Sequence, residues 1–151
     1  MALKRLPEDF KDFLNFLNTN GVKYLLIGGW AVGIYGYPRA TGDMDVWIRR
    51  SPENVSRILK VLDEFGFGSL GITGDDFLED KVIQLGQPPV RIDLMTELDG
   101  LTSEEIWAGK VGGKFGDVPV FYLGRDAFVR NKRSLGRHKD LADLEALGEK
   151  V

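Results

Sequence analysis

Residues 22–48 read VKYLLIGGWAVGIYGYPRATGDMDVWI, two apolar runs separated by a glycine-rich spacer and entered, at the second, through paired carboxylates. Val22–Ile27 predicts a short strand running into Gly28-Gly29, Trp30–Tyr35 a short helix closed by Gly36, and Met44–Ile48 a second strand beginning among Asp43 and Asp45. On a strand, residues i and i+2 share a face, with their Cα atoms about 6.5–7 Å apart. Asp43 and Asp45 placed so repel each other unless a cation joins them. Two divalent ions about 3.5–4 Å apart would do that, activating one oxygen while stabilising another in phosphoryl transfer. A bare Asp-x-Asp equally suits two aspartates at a strand start, one capping a turn and one solvated. Gly28 and Gly29, lacking Cβ atoms, let backbone amides come close to a phosphate at the start of a helix. The run Gly28-Gly29-Trp30-Ala31-Val32-Gly33 lacks the spacing of the dinucleotide fingerprint, and a Gly-Gly pair also serves as plain backbone punctuation.

Outward from this stretch, Leu6–Asn20 carries Phe10, Phe13, Leu14 and Leu17 at helical spacing between Pro7 and Gly21. Downstream, Ser51 and Pro52 open a helix whose stripe is Val55, Ile58, Leu59 and Leu62, with Gly66 as its stop. Lys81–Leu85 and Val90–Met95 read as a hairpin around Gly86-Gln87-Pro88-Pro89. Thr102 and Glu105 have the spacing of a capping box for a helix through Ala108. Val111–Phe115 and Val118–Leu123 form a second hairpin, and helices near Arg125–Arg130 and Arg137–Leu147 end the chain. Asp75, Asp76, Glu79 and Asp80 read as a solvated loop. The order α-β-α-β-α-β-β-α-β-β-α-α predicts an α+β fold, a mixed β-sheet flanked by helices, in one domain over residues 1–151.

Composition narrows the chemistry. The 151 residues contain no cysteine and one histidine, His138, which removes thiolate metal sites, cysteine nucleophiles and multi-histidine centres. Carboxylates are left as the main metal donors, and these favour Mg²⁺ or Mn²⁺. No apolar run reaches the roughly 18 residues of a membrane helix, and the N-terminus lacks a secretory pattern, so a soluble cytoplasmic protein is expected. Net charge is −3, yet residues 125–139 hold six basic residues against Asp126 alone. That segment suits either phosphate or a solvated helix face.

Asp93 lies within Val90-Arg91-Ile92-Asp93-Leu94-Met95. If this strand pairs beside the one carrying Asp43 and Asp45, three carboxylates meet within about two strand spacings of 4.8 Å. Arg91, on the same face, is an alternative partner for Asp93 as a plain ion pair.

Together, Leu26-Ile27-Gly28-Gly29, thirteen residues, Asp43-Met44-Asp45-Val46 and a distant strand with Asp93 resemble the DNA-polymerase-beta-like nucleotidyltransferase superfamily. Gly28–Val32, Arg39–Asp43 and Gly136–Asp143 look like its small bacterial branch of abortive-infection toxins and antibiotic adenylyltransferases. The resemblance runs over roughly residues 22–147 and implies the nucleotidyltransferase fold. It also implies Mg²⁺-dependent transfer of an NMP from an NTP such as ATP to a hydroxyl, with release of pyrophosphate. Gly28 and Gly29 would hold the triphosphate, Asp43 and Asp45 would ligate two Mg²⁺ ions, and Asp93 would complete one metal site and help deprotonate the hydroxyl. Lys132 resembles the lysine that touches the nucleotide phosphates. Arg39, with Thr41 beside it, would reach phosphate or acceptor, or pair with a carboxylate. Arg137, His138, Lys139, Asp140 and Asp143 are secondary candidates, with Arg137 and Asp140 also suited to an i,i+3 helix pair. The acceptor could be a tRNA end, a small molecule or a protein, and a cognate antitoxin or a second copy could be a partner. A catalytically silent nucleotide- or partner-binding member and a metal-dependent phosphohydrolase are the alternatives.

Overall fold

The computed structural model describes residues 8–28, 43–87 and 90–150. Six strands form one mixed sheet: β1 (Tyr24–Ile27), β2 (Asp43–Ile48), β3 (Ile83–Gln87), β4 (Val90–Met95), β5 (Val111–Phe115) and β6 (Val118–Tyr122), in the order β3-β4-β2-β1-β6-β5. Strand β2 runs antiparallel to β1 and parallel to β4, while β1 runs parallel to β6. The α-helices are α1 (Glu8–Thr19), α2 (Pro52–Leu62), α3 (Ser103–Ala108), α4 (Arg125–Leu135) and α5 (His138–Ala146). This is the α+β arrangement expected from the element order; the helix expected over Trp30–Tyr35 lies outside the described residues.

Strand alternation gives the two sheet faces different work. On one, Leu26, Val46 and Tyr122 stand in register, buried. Helix α1 covers this face, with Asn18 accepting a hydrogen bond from the Tyr24 hydroxyl at 2.9 Å, and packs against α2. Buried Phe10, Phe13, Leu14 and Leu17 supply its inner stripe. On the other face Ile27, Asp45 and Asp93 align across three neighbouring strands. Trp47, two residues beyond Asp45, meets Trp107 of α3 there, and α4 closes over Ile27 and Asp45.

Local signals explain most boundaries. The Ser51 hydroxyl accepts from the Asn54 amide with Pro52 in the first turn, and Thr102 and Glu105 complete a reciprocal capping box. Three expectations are corrected. Gly66 does not end α2; the chain leaves the α-helix at Leu62 and continues as a π-helical turn, Asp63–Phe67, in which Gly66 takes φ +102°. The acidic run is not simply a solvated loop: Gly74–Phe77 is a 3-10 turn, capped by Thr73 and Asp76, that buries Phe77. Helix α4 continues past Arg130 to Leu135, where Gly136 stops it at φ +64°.

Candidate functional site

Register brings the carboxylates together. Asp45 stands directly opposite Asp93 on β4 and Ile27 on β1, while Asp43 pairs with Arg91. The parallel pairing of β2 with β4, strands separated by about forty residues of chain, places Asp45 and Asp93 about 4.8 Å apart along the sheet. Arg91, two residues before Asp93 and on the same face, binds both outer carboxylates. Its Nε donates to Asp93 Oδ1 at 2.9 Å, and Nη2 donates to Asp93 Oδ2 at 3.1 Å and to Asp43 Oδ2 at 2.8 Å. The plain ion pair weighed from the sequence is therefore present and extends to a second carboxylate.

Asp45 is left between them and accepts no hydrogen bond among the described residues. Burial raises its pKa to about 6, the charges of Asp93 and Asp43 push the same way, and Lys132 and Arg91 offset only part of this. Gly28 closes the site from β1. It sits at φ +71°, a conformation that favours glycine, and a Cβ there would crowd the Asp45 carboxylate and force it to shift.

The third wall is α4. Lys132 shares a cavity of about 310 Å³ with Ile27, Gly28 and Asp45. Its ammonium lies 3.3 Å from Asp140 Oδ1 and 3.4 Å from Asp143 Oδ2, and 5.3 Å from the centre of the Phe128 ring. Asp140 is 0% exposed. It accepts from Arg137 Nε at 2.6 Å, Arg137 Nη2 at 3.1 Å and the Arg137 backbone amide at 3.2 Å. Burial pushes the Asp140 pKa up, but the Arg137 hydrogen bond and the Lys132 charge outweigh it and hold the group below the usual carboxylate value. The i,i+3 pair noted in the sequence is thus one side of a buried network that fixes Lys132.

Among the sequence candidates, Asp43, Asp45, Asp93, Gly28 and Lys132 converge here; Gly29, Arg39 and Thr41 lie outside the described residues. Arg91 as a bridge between two carboxylates was not foreseen. Its position two residues before Asp93 gave its face, whereas contact with Asp43 depends on sheet order. The basic segment 125–139 is largely neutralised: Arg125 and Arg133 pair with Glu149, Arg130 with Glu105, and Lys132 and Arg137 with Asp140.

Asp43, Asp45 and Asp93 lie on one patch, and Asp45, the one without a hydrogen bond among the described residues, is raised in pKa. Arg91 supplies the counter-charge to the outer two, and among the described residues no three acidic or histidine groups close around a single point.

No family model matches the sequence, and no curated protein matches it. The structure is similar to that of a Thermotoga maritima protein provisionally described as a nucleotidyltransferase, at 14% identity and a TM-score of 0.60 over 91% of this chain and 89% of that one. It is also similar to the lincosamide antibiotic adenylyltransferase LnuA in its lincomycin-bound form, at 12% identity and a TM-score of 0.51 over 97% and 98%. This is a nucleotidyltransferase fold. In this nucleotidyltransferase fold the carboxylates occupy the end of the sheet where β1 terminates and β2 begins. Among the described residues no helix is long and apolar enough to cross a membrane.

Proposed function

We propose that this chain transfers a nucleoside monophosphate from an NTP to a hydroxyl acceptor, releasing pyrophosphate, and that Asp43, Asp45 and Asp93 hold Mg²⁺, with Mn²⁺ as a substitute. The observation that carries this is the register of Asp45 against Asp93 beside Gly28, whose missing Cβ leaves room at the carboxylate. The bound cation supplies charge neutralisation on the phosphates and acidifies the attacking hydroxyl. In the transfer, the acceptor oxygen bonds to the α-phosphorus, the α–β phosphoanhydride breaks, and its electron pair departs on pyrophosphate. Asp93 takes the hydroxyl proton. Gly28, Gly29 and Lys132 bind the triphosphate, Arg39 and Thr41 contribute to nucleotide binding, and the Asp140–Asp143 pair keeps the Lys132 ammonium in place.

The test incubates wild type and Asp45→Asn with each labelled NTP, Mg²⁺, and either bulk RNA, a protein extract or a set of hydroxylated small molecules. The similarity to a lincomycin-bound adenylyltransferase motivates the small-molecule arm. Pyrophosphate together with labelled acceptor from wild type alone is the expected result. Free phosphate without labelled acceptor would indicate a phosphohydrolase instead.

The Arg91 bridge favours one competing reading, a catalytically silent nucleotide- or partner-binding protein in which a guanidinium replaces the cation. Failure of all four NTPs to give pyrophosphate with any acceptor, alongside retained nucleotide binding, would select it.

A further inference from the structure

Trp107 of α3 sits on the same sheet face as Asp45 but at the opposite end of β1 and β2. One side of its ring meets the buried Trp47, with centroids 6.5 Å apart, and Phe121 approaches it edge-on at 6.1 Å. Three cations surround it: Lys110 Nζ at 4.4 Å from the ring centre, Arg49 Cζ at 5.8 Å and Lys23 Nζ at 6.0 Å. Lys23 and Arg49 are brought together because the Arg49 amide donates to the Lys23 carbonyl, extending the β1–β2 ladder. Lys110 also lies 5.7 Å from the Phe121 ring.

None of these three cations has a carboxylate partner among the described residues, whereas Arg125, Arg130, Lys132, Arg133 and Arg137 all do. In a chain of net charge −3 this is a cluster of positive charge that no carboxylate among the described residues compensates. The ring quadrupole offsets only a small part of the mutual repulsion. The surface beside these cations is partly apolar and open, with Phe121 40% exposed. Cations interleaved with an exposed aromatic face suit phosphates and stacked bases together. An acidic protein segment would answer the charge and leave the aromatic face unused.

We propose that the Trp107 face docks single-stranded nucleic acid, with Lys23, Arg49 and Lys110 on phosphates and Phe121 beneath a base. The surface is separate from the carboxylate site and needs neither NTP nor metal, so it stands or falls independently of the proposed catalysis.

The test is fluorescence anisotropy of a labelled mixed-sequence RNA dodecamer with the full chain in EDTA, across a salt titration. Wild type should bind with log Kd rising against log salt at a slope of about 2, as for three contacts to a single strand. Lys110→Glu should weaken binding more than tenfold, by about an order of magnitude or greater, and flatten the slope. Phe121→Ser should weaken it about tenfold with the slope unchanged. Arg133→Glu, at a cation already paired with Glu149, should have little effect. Lys23→Gln repeats the charge arm if Lys110→Glu fails to fold. Absence of salt-dependent binding, equal weakening by Arg133→Glu, or binding of a polyglutamate peptide in place of RNA would each overturn the proposal.

Discussion

With a folded pKa of about 6 against an ordinary 3.8, Asp45 retains a proton in the native state that the unfolded chain gives up. Between those values the native state binds more protons, so its stability falls as pH rises from near 4 to near 6 and stays lowered above that. In metal-free buffer Asp45→Asn should therefore be more stable than wild type at neutral pH, by about 1–3 kcal/mol, and no more stable below pH of about 4. Thermal melts in EDTA across that range check both halves. Arg91→Ala should act in the opposite direction. It strips Asp43 and the buried Asp93 of their shared guanidinium and should lower stability without metal. If these carboxylates bind Mg²⁺, saturating MgCl₂ should raise the Arg91→Ala melting temperature by more than it raises that of wild type. Equal shifts would show that Arg91 and the ion do not compete.

At the scale of elements, α4 and α5 behave as one unit because Asp140 joins them. Asp140→Asn removes the buried negative charge shared by Lys132 and Arg137 and turns one acceptor oxygen into a donor, and should cost about 3 kcal/mol in urea denaturation. Lys132→Met should cost only about 1 kcal/mol, since Asp140 keeps Arg137 and the methionine retains packing against Phe128. If Lys132 binds the triphosphate, Lys132→Met should nonetheless weaken nucleotide binding strongly, which separates its ligand role from its structural one. Capping and periodicity made helices such as α2 and α3 legible from Ser51, Pro52, Thr102 and Glu105 alone. The paired strands were legible from alternation and turn residues, but β3 runs over Ile83–Gln87 rather than the expected Lys81–Leu85, with Gly86 and Gln87 paired in the ladder instead of forming the turn. The meaning of the basic segment was not, because its neutralising partners, Glu105 and Glu149, lie outside it and meet it only in three dimensions. The Trp107 cluster escaped for the same reason: Lys23, Arg49 and Lys110 come from three separate places in the chain and converge only once β1, β2 and α3 are packed. Asp43 and Asp45 were legible as a local pattern, whereas the place of Asp93 beside them depended on a strand pairing that sequence alone left conditional.

For the molecule as a whole, the candidate site joins parts of the chain that local structure does not connect. Gly28 ends β1, Asp45 enters β2, Asp93 belongs to β4 and Lys132 to α4, and the cavity between them is lined from all but β4's carboxylate. A ligand held by these walls ties the sheet to the C-terminal helices and should stabilise folding as a whole rather than one loop. At a hundredfold excess over Kd, a ligand specific to the native state adds about 2.7 kcal/mol. For a chain of this size that corresponds to a rise in melting temperature of roughly 5–10 °C. A non-hydrolysable NTP with Mg²⁺ should produce such a rise in wild type, and EDTA or Asp45→Asn should remove most of it. Because Asp45→Asn is itself expected to stabilise the metal-free protein, each variant must be compared with its own unliganded melt. A full rise in Asp45→Asn would place the nucleotide away from the carboxylates and break the link between nucleotide binding and the proposed transfer. A rise lost in Lys132→Met but kept in Asp45→Asn would leave phosphate binding on α4 and remove the metal from its cause.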